Sequence, residues 1–190
     1  MKIVSVGGGE PIGTRRAHKH NSMKLYYFPG ACALADHIVL EWIGTPYETV
    51  RMSQASIKTP DYLAINPGGT VPLLIDGNFS LTENFAILSY LADLNPGAHL
   101  FGDGTPRGRA EVMRWLGFLN SDVHSEFKPI FTPGRFLPDP AAANAIVDTT
   151  KKVTWSSTAS RQVASKRGRV LSAVQGHTLM NMAARNRELT

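Results

Sequence analysis

Lys24-Leu25-Tyr26-Tyr27-Phe28-Pro29-Gly30-Ala31-Cys32-Ala33-Leu34-Ala35-Asp36-His37 decides how the rest of the chain is read. Residues 25–28 form a short apolar and aromatic strand pattern, and Pro29-Gly30 turns the chain. Residues 33–43 then follow a helical period, with Leu34, Ile38 and Trp42 at a spacing of four on one face. Gly44 stops the helix. Cys32 is the only cysteine in the chain, and it stands where the helix begins. Unpaired amides and aligned peptide dipoles at a helix start favour negative charge, so a lowered thiol pKa is expected there. The competing reading is a small buried apolar residue. With no second cysteine, any disulfide must form with a thiol from outside the chain, and a small-molecule thiol is the obvious partner.

Working outward, Tyr47-Glu48-Thr49-Val50-Arg51 alternates as a second strand. A polar stretch containing Lys58 follows, then one or two helical turns over 60–65 and the loop Asn66-Pro67-Gly68-Gly69. Val71-Pro72-Leu73-Leu74-Ile75 reads as a third strand. Asp76-Gly77-Asn78 is a hairpin signal leading into Phe79-Ser80-Leu81. Residues 83–94 read as a helix, with Phe85, Leu88, Leu91 and Ala92 on one side. The first two strands are joined by a helical crossover and should be parallel; the last two are joined by a tight turn and should be antiparallel. A small mixed sheet with helices on its faces is the thioredoxin-like arrangement. Residues 96–108 are rich in proline and glycine and read as a linker. Beyond them the pattern is all-helical. Val112, Trp115, Leu116, Leu119 and Val123 form one stripe over 110–127, Pro129 and Pro133 break it, and Asp139-Pro140 opens another helix to about residue 152. The fold class expected is α/β plus all-α.

Composition narrows the function. The chain has 190 residues, 43% of them apolar, which suits one domain or two small ones. No apolar run approaches a membrane span, and residues 1–22 lack the apolar core of a secretory signal. A single cysteine excludes a disulfide framework, so a reducing cytoplasm is the expected location. The net charge of +5 sits at the ends. Residues 1–22 carry four Lys/Arg and one acid, and residues 151–190 carry eight Lys/Arg and one acid, whereas residues 23–150 hold eight Lys/Arg against thirteen acids. A nucleic-acid-binding protein usually carries its positive charge on the folded body. No nucleic acid and no membrane are therefore expected as partners. Gly7-Gly8-Gly9 is not followed by the Gly-Lys-Ser/Thr of a phosphate loop, and residues 1–22 are expected to be an unstructured extension, with Met23 a plausible second start.

Four segments, in order, resemble a bacterial beta-class cytosolic glutathione S-transferase. They are Met23-Lys-Leu-Tyr-Tyr-Phe-Pro-Gly-Ala-Cys32, Ala64-Ile-Asn-Pro-Gly-Gly-Thr-Val-Pro72, Leu81-Thr-Glu-Asn-Phe-Ala-Ile-Leu-Ser-Tyr-Leu-Ala-Asp93 and Arg114-Trp-Leu-Gly-Phe-Leu-Asn-Ser-Asp-Val-His124. The resemblance covers about residues 23–150. It implies a thioredoxin-like glutathione-binding domain over 23–95, the linker 96–108 and a partial helical domain over 109–150.

The resemblance also implies a site. Glutathione enters as co-substrate, a small apolar electrophile is the second substrate, and a homodimer is the expected assembly. Cys32 would exchange thiols with glutathione, and His124 would approach the sulfur across the domain cleft as a cation or donor, with Lys128 adding positive potential. Val71 would pair with the cysteinyl amides of glutathione, exposed by a cis bond to Pro72. Glu83 and Asn84, at a helix start, would hold the γ-glutamyl carboxylate, and Lys58 the glycyl one. Tyr27 lies near but is no obvious replacement catalyst. The alternative function is a non-catalytic glutathione- or protein-binding module of the same fold. Likeness ends near residue 150. After Thr150 there is no aspartate, so the Ser/Thr-x-x-Asp capping box that the family carries further on is absent. The basic tail over 151–190 is atypical, and a shifted reading frame would account for it.

Overall fold

The computed structural model describes residues 23–156; the extension 1–22 and the tail from residue 157 lie outside the described residues. Strand β1 (Met23–Tyr27) leads into helix α1 (Ala33–Ile43), β2 (Tyr47–Arg51), a short helix α2 (Pro60–Ile65), the hairpin β3 (Leu73–Asp76) and β4 (Phe79–Thr82), and helix α3 (Asn84–Leu94). The sheet order is β2-β1-β3-β4. The pairs run as the connections require. β1 and β2 are parallel, with Leu25 opposite Thr49. β1 and β3 are antiparallel, with Leu25 opposite Leu74, and β3 and β4 are antiparallel around the hairpin. This is the thioredoxin-like arrangement.

One face of the sheet packs on α1 and α3 and builds the main core from Met23, Leu25, Val39, Leu40, Leu74, Ile87, Leu88 and Leu91, each 0–1% exposed. The opposite face is covered around Ile57, Tyr62 and Leu73. The face read for α1 is corrected by the structure. Ala33, Ala35, Asp36, Val39 and Leu40 point inward, while Trp42 is 57% exposed. Eight of the eleven residues of this helix are apolar, so two stripes fit the period, and only the sheet decides between them.

The linker is shorter than read. Helix α4 (Pro106–Phe118) begins inside the proline- and glycine-rich stretch, with Pro106 in its first turn and the Thr105 side chain accepting from the Gly108 N–H at 3.0 Å. α4 runs on through five residues of π-helix (Leu119–Val123) into α5 (His124–Glu126), and then comes α6 (Lys128–Phe131). Helix α7 (Pro140–Ser156) opens as expected, with Asp139 accepting from the Ala141 and Ala142 N–H groups. α7 packs on α6. Among the described residues no helix is long and apolar enough to cross a membrane.

The helical region is not a separate ball. Val112 and Leu116 of α4, each 0% exposed, belong to the same buried cluster as the sheet, α1 and α3. Leu116→Ala therefore removes core from both regions at once. It is expected to lower stability by about 2–5 kcal/mol in a single cooperative urea transition. Two separate transitions would mean that the shared core does not couple them.

Candidate functional site

β1 ends at Tyr27, and residues 28–32 carry the chain over the end of the sheet into α1, with Gly30 in the left-handed region at φ 77°. A cavity of about 640 Å³ opens above this loop. Phe28 to Cys32 form its floor, Ile57, Lys58 and Gly69 to Val71 one wall, and His124 and Phe131 of the helical region the other. Four of the residues expected from the sequence, Cys32, Lys58, Val71 and His124, thus meet in one place although ninety-two positions separate the first from the last.

The wall beside Val71 is fixed by a small hydrogen-bond network. The Thr70 carbonyl accepts from the Tyr62 hydroxyl at 2.6 Å and from Asn66 Nδ2 at 2.7 Å. Asn66, 4% exposed, also accepts from the Gly68 N–H. Gly69, at φ 55°, accepts a hydrogen bond from Lys58 Nζ through its carbonyl at 3.4 Å. A Cβ on Gly69 would stand 3.0 Å from both the Ile57 carbonyl and Lys58 Nζ, so only glycine lets this loop hold the lysine at the cavity wall. The Val71–Pro72 peptide is cis, and Pro72 is buried beneath the cavity wall.

The thiol of Cys32 departs from expectation. It is 7% exposed and lies beneath Leu119, Val123 and Phe127. Burial is the largest cause pushing its pKa up from 9.0 to about 12, and negative charge at Glu83, or at Asp36 wherever that group is ionised, acts in the same direction. The Cys32 and Ala33 N–H groups at the start of α1 act the other way, as the helix-start argument requires, but desolvation is the larger effect. The thiol is therefore neutral at pH 7, against the lowered pKa expected from the helix start.

His124 is also corrected in part. Burial and the nearby Lys128 hold its pKa below the usual 6.5, against the opposite pull of Glu83. At pH 7 it is neutral, so it is available as a hydrogen-bond donor and not as a cation.

Glu83 and Asn84 do not line the cavity. Glu83 is exposed, precedes α3 with φ 70° and ψ 113°, and makes no side-chain cap. A non-glycine residue held there costs on the order of 1–3 kcal/mol and persists only where surrounding structure imposes it. Its charge reaches both Cys32 and His124. Asn84, 2% exposed, turns inward: Nδ2 donates to the Cys32 carbonyl at 3.0 Å and to Asp36 Oδ2 at 3.1 Å. Its side chain ties the start of α3 to the start of α1. Sequence reading assigned no role to Phe28, Gln54, Thr70 and Phe131 among the lining residues; Phe28 and Thr70 lie within the quoted motifs, whereas nothing local marks Gln54 or Phe131. Among the described residues no cluster of His, Cys, Asp or Glu could hold a metal ion.

The buried thiol has measurable consequences. Alkylation of Cys32 at pH 7 is expected to be slow and to rise about tenfold per pH unit up to about pH 12. Val123→Ala opens the covering and lowers the pKa, so it speeds alkylation at pH 7; an unchanged rate would refute the assignment of the shift to burial. The raised pKa also fixes the sign of the stability change. Protection from the neutral thiol is complete below pH 9.0 and is lost as pH climbs toward about 12, because the unfolded chain ionises first.

With this geometry in hand, comparison with known proteins gives a consistent answer. Residues 21–93 match the family model described as glutathione S-transferase, N-terminal domain. A glutathione S-transferase GST-4.5 of Xanthomonas campestris pv. campestris is 52% identical over 119 residues, which cover 63% of this chain and 58% of that protein. The chain thus spans less than two thirds of this curated relative's length. A solved glutathione S-transferase from Xylella fastidiosa is 36% identical, with a TM-score of 0.75 over 86% of this chain and 83% of that one. A sphingomonad glutathione S-transferase, solved in complex with glutathione, is 32% identical, with a TM-score of 0.67 over 86% and 83% of the two chains. Likeness at this identity over most of a solved relative, joined to the sheet order and the helical partner described above, means that the chain belongs to the glutathione S-transferase family.

Proposed function

We propose that this protein is a beta-class glutathione transferase that binds glutathione in the cavity above Cys32. The observation that carries the reading is the convergence of Cys32, Lys58, Val71 and His124 on one cavity between the sheet end and the helical region. Its chemistry matches the tripeptide. The Lys58 ammonium suits the glycyl carboxylate. The Val71 backbone suits the cysteinyl amides, in the manner of an added strand. The backbone at Glu83 and Asn84, at the start of α3, suits the γ-glutamyl carboxylate. Phe28, Ile57 and Phe131 offer apolar surface to a small electrophile. A homodimer in the cytoplasm is part of the proposal, as is a first region over 23–95 followed by the helical region that α4 opens at Pro106.

Two reactions follow from a bound thiol at this position. In conjugation, the glutathione sulfur bonds to an electrophilic carbon, the leaving group departs with its electron pair, and the thiol proton passes to solvent. In exchange, the Cys32 sulfur attacks glutathione disulfide, the S–S bond breaks, and one glutathione leaves carrying the proton that Cys32 gave up. His124, as a neutral donor, would hydrogen-bond the sulfur that bears the developing charge. The cysteine favours exchange over conjugation, since tyrosine or serine in its place could form no mixed disulfide.

The test is retention on immobilised glutathione, elution with free glutathione, and turnover of an aromatic electrophile by the eluate. Retention with turnover is expected; a folded sample that is not retained would overturn the proposal, and retention without turnover would favour the binding module. Incubation with glutathione disulfide should add the mass of one glutathione to the chain, and Cys32→Ser should abolish that addition. Lys58→Ala should raise KM for glutathione about three- to tenfold with kcat little changed, because an ion pair to the glycyl end acts equally in ground and transition states.

A further inference from the structure

Asp36 sits in the first turn of α1, 0% exposed, one turn beyond Cys32. Among the described residues its buried neighbourhood holds no cation that pairs with it; its one partner is Asn84 Nδ2. That contact leaves an imbalance. Asp36 Oδ1 and Asn84 Oδ1 are both buried, and neither has a hydrogen-bond partner among the described residues. Rotating the Asn84 amide does not help, because its nitrogen is already donating to the Cys32 carbonyl and to Asp36 Oδ2, and an oxygen in that place would face two acceptors. Two acceptor oxygens on groups already joined by one hydrogen bond are satisfied together when a proton lies between them.

We infer that Asp36 is a neutral carboxylic acid whose proton is donated to Asn84 Oδ1, closing a two-bond acid–amide pair that holds the Cys32 carbonyl and leaves no charge at position 36. Burial without a counter-ion favours the neutral acid, and it pushes the Asp36 carboxyl well above the ordinary carboxylate range in spite of the Asn84 hydrogen bond. The titratable groups that face Cys32 are Asp36 from its own helix, Glu83 from the start of α3 and His124 on the facing wall, and with Asp36 neutral the negative charge among them is that of Glu83. A charged Asp36 would compete directly with a thiolate; a neutral one removes that competition while keeping α1 and α3 joined at the site. Asp36 is thus a positioning residue. Its consequence for thiol exchange rests on the function proposed above, whereas its protonation does not.

Infrared spectroscopy on the full chain at about pH 7 tests the protonation directly. A protonated-carboxyl C=O band is expected in the wild type and should be missing from Asp36→Asn, which is isosteric and can form the same pair. Alkylation of Cys32 by iodoacetamide, followed between about pH 6 and 9, supplies the second readout. The two proteins should agree within about twofold at every pH, since neither carries a charge at position 36. Absence of the band, or an Asp36→Asn rate about tenfold or more above wild type, would show an ionised Asp36 and overturn the inference. Asp36→Ala, which breaks the pair, should speed alkylation several-fold by loosening Cys32; should it fail to fold, the Asp36→Asn comparison still decides.

Discussion

The contact of Leu119, Val123 and Phe127 with Cys32 is the constraint on which the rest of this molecule turns. It seats the helical region on the end of the sheet, and the same contact removes the thiol from water. The two effects oppose each other chemically. A thiol moved from 9.0 to about 12 costs on the order of 4 kcal/mol more to ionise than a free one. The two amides at the start of α1 offset part of that cost, and a helix terminus contributes only about 0.3–1 kcal/mol at an exposed site and about 2 kcal/mol in a buried one. The helix start is therefore outweighed by the desolvation that the covering residues impose.

Much of the sheet region was legible from local signals. Pro29-Gly30, Gly44 and Asp76-Gly77-Asn78 punctuate the elements where the backbone turns, and the mixed pairing follows from connection length alone. The errors share a physical cause. The stripe of Leu34, Ile38 and Trp42 is a true helical period but not the buried one, because α1 has apolar residues on two faces and a period cannot choose between them. Pro106 was read as linker because a proline in a glycine-rich stretch looks the same whether it interrupts a chain or opens a helix, and the Thr105 cap is what distinguishes them.

The site shows the same division. Motif identities singled out Cys32, Lys58, Val71 and His124, and the structure brings these four to one cavity. Their protonation states were not legible. The Cys32 thiol and the His124 ring are set by burial against residues far away in the chain, and burial is a property of the tertiary structure. Asn84 is the sharpest case. Its position at a helix start fits a ligand-holding role, yet its side chain turns into the core and joins Asp36, a residue that no motif singled out.

The π-helical segment explains how one helix serves both purposes. Leu116, Leu119, Val123 and Phe127 succeed one another at spacings of three, four and four. In an α-helix each step of four overshoots a full turn by about 40°, so two such steps in a row would swing Phe127 away from the line of Leu119. The wider turn over Leu119–Val123 takes up that drift. All three apolar side chains then stay over Cys32 while the next residue, His124, reaches the cavity wall. A regular helix of the same sequence could cover the thiol or present the histidine, and the change of pitch at this point lets it do both.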